Sequence, residues 1–171
     1  MHKLEDIIKQ KKIIDIDLAQ NSDNVYTGIC LVANSKILML LNLDEENGEF
    51  DGFIIVQNED VEKYREWEKD DYSELKNDNS ESLISNIELK NFADLESSLK
   101  SLTSELVSIF TYEDESSFFV GKILSVNNDS VELHLVNGNS EWKDIKMIKL
   151  SEISFLGFET KYEREIEKNA V

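Results

Sequence analysis

The stretch Tyr26-Thr27-Gly28-Ile29-Cys30-Leu31-Val32 begins a run of short apolar segments that ends at Val61. Within this run follow Lys36-Ile37-Leu38-Met39-Leu40-Leu41, the pair Asn47-Gly48, and Phe53-Ile54-Ile55-Val56. Short apolar segments separated by turn residues are typical of antiparallel strands, and Asn-Gly is a favoured hairpin turn. The run therefore predicts a β-meander.

A second run, from Phe119 to Ile153, repeats this order. Gly28 and Gly121 are 93 residues apart, and Phe50 and Trp142 are 92 residues apart, so the spacing changes by one residue across the run. Similarity at a constant offset is the mark of an internal repeat. We predict one folding unit present twice.

Each run is preceded by a helical pattern and an alternating segment. Apolar residues at helical spacing predict a helix over residues 4–12 and another over about 92–106, with Asn91 as its cap. Ile14, Ile16 and Leu18 alternate with aspartates and predict a strand. We expect a first unit over residues 1–75, an acidic, Ser- and Asn-containing linker over 76–90, and a second unit over 91–171.

The predicted fold class is mainly β with short helices, as two tandem small barrels of one helix and four or five antiparallel strands each. Closing so few strands into a barrel removes exposed edges, and a mid-strand glycine such as Gly28 or Gly121 suits a bulge or sharp bend. This order resembles the Sm-like fold, and SH3-like barrels are the neighbouring possibility.

The chain departs from the Sm-like family at the residues that bind RNA. Asn34 and Asn127 stand where the resemblance implies an aspartate, and Leu38 and Val131 stand where it implies a base-contacting asparagine. Neither of the two arginines, Arg65 and Arg164, precedes a glycine, as the family's second motif implies. The resemblance therefore extends to the architecture and not to the RNA-binding residues.

Charge is the strongest compositional signal. Asp and Glu total 36 against 18 Lys and Arg, a net charge of −18. Residues 1–90 carry 21 acids and 10 bases, and residues 91–171 carry 15 and 8, so both halves are acidic. Such a field repels nucleic-acid phosphates and attracts basic partners. It also keeps a protein soluble, which is the alternative explanation.

The location follows from three features. One cysteine cannot form an internal disulfide, the N-terminus lacks a secretory pattern, and no apolar run is long enough for a membrane-spanning helix. We expect a cytoplasmic protein of bacterial type that binds neither membrane nor nucleic acid directly. The oligomeric state stays open.

Residues with catalytic or metal-binding potential are few. His2 lies near the N-terminus, and His134 alternates with leucines and so faces solvent. Cys30 lies in an apolar strand, as a buried thiol does. The acidic stretch from Asp44 to Asp51 lacks the spacing of an EF-hand loop. We therefore expect no enzyme activity, no metal and no cofactor.

The segment from Leu41 to Asp60 contains seven acids and no base, and Phe50 lies among the acids. An aromatic anchor surrounded by acids is a means of binding a basic partner. The alternative is that Phe50, like Trp142 in the second unit, fills the core. The predicted partner-binding residues are Asp44, Glu45, Glu46, Glu49, Phe50, Asp51, Glu59 and Asp60.

These features resemble the small acidic immunity proteins that neutralise secreted toxins. The resemblance implies a non-enzymatic protein that docks on and inhibits a basic protein, either a toxin or a nucleic-acid enzyme, as a phage-borne inhibitor would. The alternative hypothesis is an Sm-like, RNA-associated regulator.

Overall fold

The computed structural model describes residues 2–19, 21–112 and 117–170. The chain is mainly β, as predicted, with a few short helices. The helices are α1 (His2–Lys9), α2 (Ser80–Ile84), α3 (Leu95–Ser101) and α4 (Lys161–Asn169). The strands are β1 (Ile13–Leu18), β2 (Asn21–Ala33), β3 (Ile37–Asp44), β4 (Glu49–Gln57), β5 (Val61–Glu66), β6 (Leu106–Thr111), β7 (Phe118–Val126), β8 (Ser130–Val136), β9 (Trp142–Lys149) and β10 (Ile153–Phe158).

The chain divides into two compact units, residues 1–90 and 91–171. In the first unit the strand order is β5-β1-β2-β3-β4, and in the second it is β10-β6-β7-β8-β9. Each unit is thus an antiparallel meander whose last strand returns beside its first. None of the helices formed by the described residues is long and apolar enough to span a bilayer.

The two units share their strand register as well as their strand order. Ile14 faces Gly28 across β1 and β2, and Val107 faces Gly121 across β6 and β7. Leu43 faces Phe50 in the first unit, and Val136 faces Trp142 in the second. Each of these residues of the first unit lies 93 residues before its equivalent in the second unit, except Phe50, which lies 92 residues before Trp142.

Irregularities in the ladders also recur at equivalent positions. β2 is bulged between Cys30 and Val32, and β7 is bulged between Ile123 and Ser125. A bulge adds one residue to one strand, bends it and increases its twist. The bend therefore belongs to the repeated unit and is not an accident of one copy.

Closure into barrels is not shown. Among the described residues of each unit, the first and last strands of the order do not pair, so β4 and β5 remain apart, as do β9 and β10. Each unit is therefore an open, bulged antiparallel sheet. The sequence predicted four or five strands in each unit. The structure has five in each, because residues 61–66 and 153–158 both form strands.

The predicted cap of the second unit's helix was wrong. α3 begins after Asp94, whose side chain accepts a hydrogen bond from the Ser97 amide at 2.8 Å while the Ser97 hydroxyl accepts one from the Asp94 amide at 3.0 Å. This reciprocal pair satisfies two amides at the helix start. Asn91 instead lies in a preceding 3-10 turn, and the Phe92 ring stacks on Phe158 outside the helix.

Candidate binding surface

The β3–β4 hairpin holds its acidic tip in a defined conformation. Asp44 Oδ1 accepts hydrogen bonds from the amides of Glu46 at 3.1 Å and Asn47 at 3.4 Å, and Gly48 adopts a φ of 64°. A left-handed φ suits glycine, and a carboxylate that accepts amides two and three residues on forms a local turn. The turn leaves Glu45, Glu46 and Glu49 exposed.

A second segment is attached to this hairpin. The Gly48 carbonyl accepts hydrogen bonds from the amides of Lys76 at 2.8 Å and Asn77 at 3.2 Å. The Asn79 side chain accepts from the Phe50 amide at 3.0 Å and donates to the Phe50 carbonyl at 2.9 Å. These four bonds hold residues 76–79 against the hairpin, inside the first compact unit.

Together the two segments form a surface that we name the acidic face. Lys76 is a base within it, and its ammonium donates to the Glu46 carbonyl at 3.1 Å rather than to a carboxylate. Because the backbone of both segments is fixed, the carboxylates are presented without a large further loss of chain entropy on binding. The acidic face consists of the exposed residues Glu45, Glu46, Glu49, Glu74 and Asp78.

The predicted partner-binding residues divide by burial. Glu45, Glu46, Glu49 and Glu59 are exposed, and Asp44 and Asp51 are half-buried. Asp60 is 9% exposed and Phe50 is 3% exposed. Phe50 therefore packs in the core, which is the alternative that its sequence position left open, and its ring is not offered to a partner.

A polar network beneath the hairpin was not foreseen. The Thr27 hydroxyl lies 2.8 Å from a carboxylate oxygen of Asp15 and 2.8 Å from one of Glu45. Asp15 also accepts hydrogen bonds from the Trp67 indole at 2.7 Å and from the Arg65 guanidinium. The network fixes the position of Glu45 at the base of the acidic face.

Arg65 extends this network to Asp71. The two side chains form an ion pair at 2.6 Å. The pKa of the Asp71 carboxyl is lowered, chiefly because the Glu68 amide donates to it and next because Arg65 does. Asp15 and Arg65 stand opposite each other in the β1–β5 register. Their opposite charges indicate an ion pair only once this strand pairing is known.

A cleft of about 370 Å³ also lies in the first unit. Its lining includes Lys11, Ile29, Asp78 and Glu81, so one residue of the acidic face borders it. Lys11 adopts a φ of 51°, an uncommon conformation for a residue other than glycine. The cleft is lined by basic, acidic and apolar side chains, and this combination does not indicate one particular reaction.

The residues considered for catalysis occupy structural positions. Cys30 is buried, and burial raises the pKa of its thiol to about 12. The His134 ring stacks on Trp142, with ring centroids 4.6 Å apart, and is half-buried instead of fully facing solvent. The side chain of His2 lies outside the described residues. Over residues 2–19, 21–112 and 117–170, no group of three His, Cys, Asp or Glu side chains could hold a metal ion.

The asparagines at the Sm-like motif positions form turns. Asn34 Oδ1 accepts hydrogen bonds from the amides of Lys36 and Ile37, and Asn127 Oδ1 does so from those of Asp129 and Ser130. Each asparagine therefore closes the hairpin between the second and third strands of its unit. Leu38 and Val131, which stand at the base-contacting position, are buried, at 1% and 0% exposure.

Comparison of the chain with protein-family models, with curated proteins and with solved structures finds no match.

Proposed function

We propose that this chain is a non-enzymatic binding protein that docks on a basic protein and inhibits it, with the acidic face as the contact surface. The observation that carries the proposal is the presence of five exposed carboxylates on two hydrogen-bonded segments in a chain of net charge −18. The partner's chemistry is that of a toxin or nucleic-acid enzyme whose basic cleft normally receives phosphates.

Electrostatics supports inhibition by this route. A surface of one charge sign raises the local concentration of a partner of opposite sign and increases the association rate, more so at low salt. Exposed carboxylates held by backbone turns can occupy the positions of phosphate oxygens in a basic cleft. We infer an action like that of immunity proteins or of phage-borne inhibitors of nucleic-acid enzymes.

We propose that both units are variants of the small-barrel architecture, Sm-like or SH3-like. The support is the return of the last strand beside the first, the bulges at equivalent positions, and the glycines Gly28 and Gly121, each of which lies in a bulged strand. In this proposal the scaffold supplies rigidity, and binding depends on the surface residues that differ between the units.

Affinity capture from the native host tests the function. The bait is the full chain, either wild type or carrying Glu46→Lys with Glu49→Lys on the acidic face. A matched control carries Asp129→Lys with Asp144→Lys, two exposed residues of the second unit that lie outside the acidic face, and has the same change in net charge. We expect wild type and control to retain a basic protein and the acidic-face variant to lose it.

The rate of association separates a local from a general charge effect. With the captured protein as analyte, the acidic-face variant should associate at least about tenfold more slowly than the control at low salt. Titration of the captured protein's own activity then measures inhibition. Recovery of no basic protein by any bait, or equal losses in the two variants, contradicts the proposal.

A further inference from the structure

Four aromatic side chains form a continuous row on the second unit. Phe155, Phe110 and Phe118 stand opposite one another in the registers of β10, β6 and β7. The Phe110 ring centroid is 5.4 Å from that of Phe155 and 4.5 Å from that of Phe118. Tyr162 of α4 continues the row, with its ring centroid 5.9 Å from that of Phe118. We name these four residues the aromatic row.

The row is accessible to a partner. Phe118 is 36% exposed and Tyr162 is 43% exposed, while Phe110 and Phe155 are half-buried. Single exposed apolar residues need no explanation, but adjoining exposed aromatic rings are a frequent feature of interaction sites. Phe118 and Tyr162 are therefore the rings that a partner can reach.

The first unit forms the same strand pairing without aromatic residues at the equivalent positions. By the offsets of 93 and 92 residues, Phe110, Phe118 and Phe155 correspond to Asp17, Val25 and Lys63 of the first unit. Asp17 and Lys63 face each other across β1 and β5, just as Phe110 and Phe155 do across β6 and β10. The same sheet position thus accepts a polar pair in the first unit, so the strand pairing itself does not require aromatic residues here.

Charge identifies the occupant. The second unit carries 15 acids and 8 bases, so the ligand that it attracts is cationic. Arginine combines positive charge with a planar, weakly hydrated group that stacks on aromatic faces, which the more strongly hydrated lysine ammonium does less well. Within the same unit, Lys146 already lies over the Phe119 ring, 4.4 Å from its centroid.

We propose that the aromatic row is a docking surface for arginine side chains of a basic protein. The inference rests on the proposed function, which makes the partner basic, and adds that the partner is recognised through arginine. Nucleobases also stack on aromatic rings, but a chain of net charge −18 repels the phosphates that accompany them.

Two peptides of equal charge test the proposal. One alternates four arginines with glycine, the other alternates four lysines with glycine, and both are titrated into the full chain while backbone amide signals are followed by NMR. We expect the arginine peptide to bind about fivefold more tightly, with the largest shifts at residues 108–120 and 155–163. Oligouridine should cause no shifts.

Substitutions assign the preference to the rings. Phe118→Leu with Tyr162→Leu keeps apolar surface but removes the aromatic faces, so the two peptides should then bind about equally. Phe118→Tyr is the conservative variant and should retain the arginine preference, provided that each variant shows the wild-type melting temperature. Glu46→Lys with Glu49→Lys should leave the ratio of the two affinities unchanged.

Equal binding of both peptides by wild type, an arginine preference that survives the leucine substitutions, or shifts with oligouridine would overturn the proposal. These outcomes are independent of the capture experiment. A chain that retains a basic protein yet binds both peptides equally keeps the proposed function and loses this inference. If capture fails while the arginine preference is intact, the proposed function is lost and the aromatic row remains an arginine-binding surface.

Discussion

Gly28 and Gly121 lie where a facing strand approaches most closely. A Cβ atom on Gly28 would stand 2.1 Å from the Leu41 carbonyl oxygen, and one on Gly121 would stand 2.7 Å from the His134 carbonyl oxygen. Both contacts are with backbone, which cannot turn aside as a flexible side chain does. The repeated glycine is therefore required by the bend of the sheet.

We predict that Gly28→Ala destabilises the chain by about 1–3 kcal/mol, because relief of the clash must displace β3. Gly121→Ala should cost less, since its closest contact is longer. Gly138→Ala is the control: no atom lies within 4 Å of its added Cβ, and the change should stay within about 0.5 kcal/mol. Urea unfolding of the three variants measures the order of destabilisation. Equal midpoints would refute the explanation by a backbone clash.

Cys30 provides a prediction about pH. Burial raises the pKa of its thiol from 9.0 to about 12, so between these values the unfolded chain releases a proton that the folded chain retains. Stability therefore falls with rising pH in this window, by up to about 1.4 kcal/mol per pH unit from this group. Cys30→Ala should show a shallower decline between pH 9 and pH 11 in denaturant unfolding. If stability declined equally with pH in wild type and in Cys30→Ala, the thiol would ionise over the same pH range in the folded and the unfolded chain.

The sequence left two positions open for Phe50, in the core or at the surface, and a bulge explains the buried one. Phe50 and Phe53 are three residues apart, so simple alternation places their rings on opposite faces of β4, yet both are buried. The ladder is irregular between Leu41 and Leu43, and Gly52 adopts a φ of 66°. A bulge reverses the facing of every residue beyond it. The pair Asp51-Gly52 was the available sequence signal.

At the scale of elements, β4 and β9 are equivalent strands with opposite environments. Residues 52–56 of β4 are all buried, whereas β9 is mostly exposed. Phe53 is 0% exposed, and Ile145, its equivalent at an offset of 92 residues, is 59% exposed. The two copies thus share a backbone ladder but not the distribution of apolar contacts.

This contrast predicts unequal costs for one kind of substitution. Phe53→Ala should destabilise the chain by about 3–5 kcal/mol, because it removes a fully buried ring and leaves a cavity. Ile145→Ala should cost less than about 1 kcal/mol, since the side chain makes few buried contacts. Thermal or urea unfolding measures both. A large loss at Ile145 would mean that β9 is covered in solution.

The sequence predicted strands better than helices and surfaces. The meander followed from the apolar segments, and the repeat followed from the offset between Gly28 and Gly121. α4 was missed, although Thr160 and Glu163 stand at capping-box spacing and the Glu163 carboxylate is buried against the Ser108 hydroxyl. The capping-box spacing was therefore a local signal for α4, whereas the contact of Glu163 with β6 was not visible in the sequence. The aromatic row was missed for the same reason, because its members come from four separate elements.

At the scale of the whole molecule, the charge of −18 is spread over both units, and composition alone revealed it. The sequence indicated the carboxylates of the β3–β4 hairpin but not those of Glu74 and Asp78, because the acidic face joins the hairpin to residues beyond β5. Glu74 and Asp78 enter it only through the hydrogen bonds of residues 76–79 to Gly48 and Phe50.

A charge of this size also opposes folding, because compaction brings like charges together. The Debye length is about 30 Å at 0.01 M salt and about 8 Å at 0.15 M, so physiological salt screens repulsion across most of each unit. We predict that stability rises by on the order of 1 kcal/mol between these concentrations, or about 2–4 °C in Tm. Calorimetry in sodium chloride measures this rise. A variant with Glu45, Glu46 and Glu49 changed to Gln should show a smaller rise, because fewer repulsions remain to be screened. A Tm that falls as salt increases would mean that favourable ion pairs such as Arg65 with Asp15 outweigh the excess of acids.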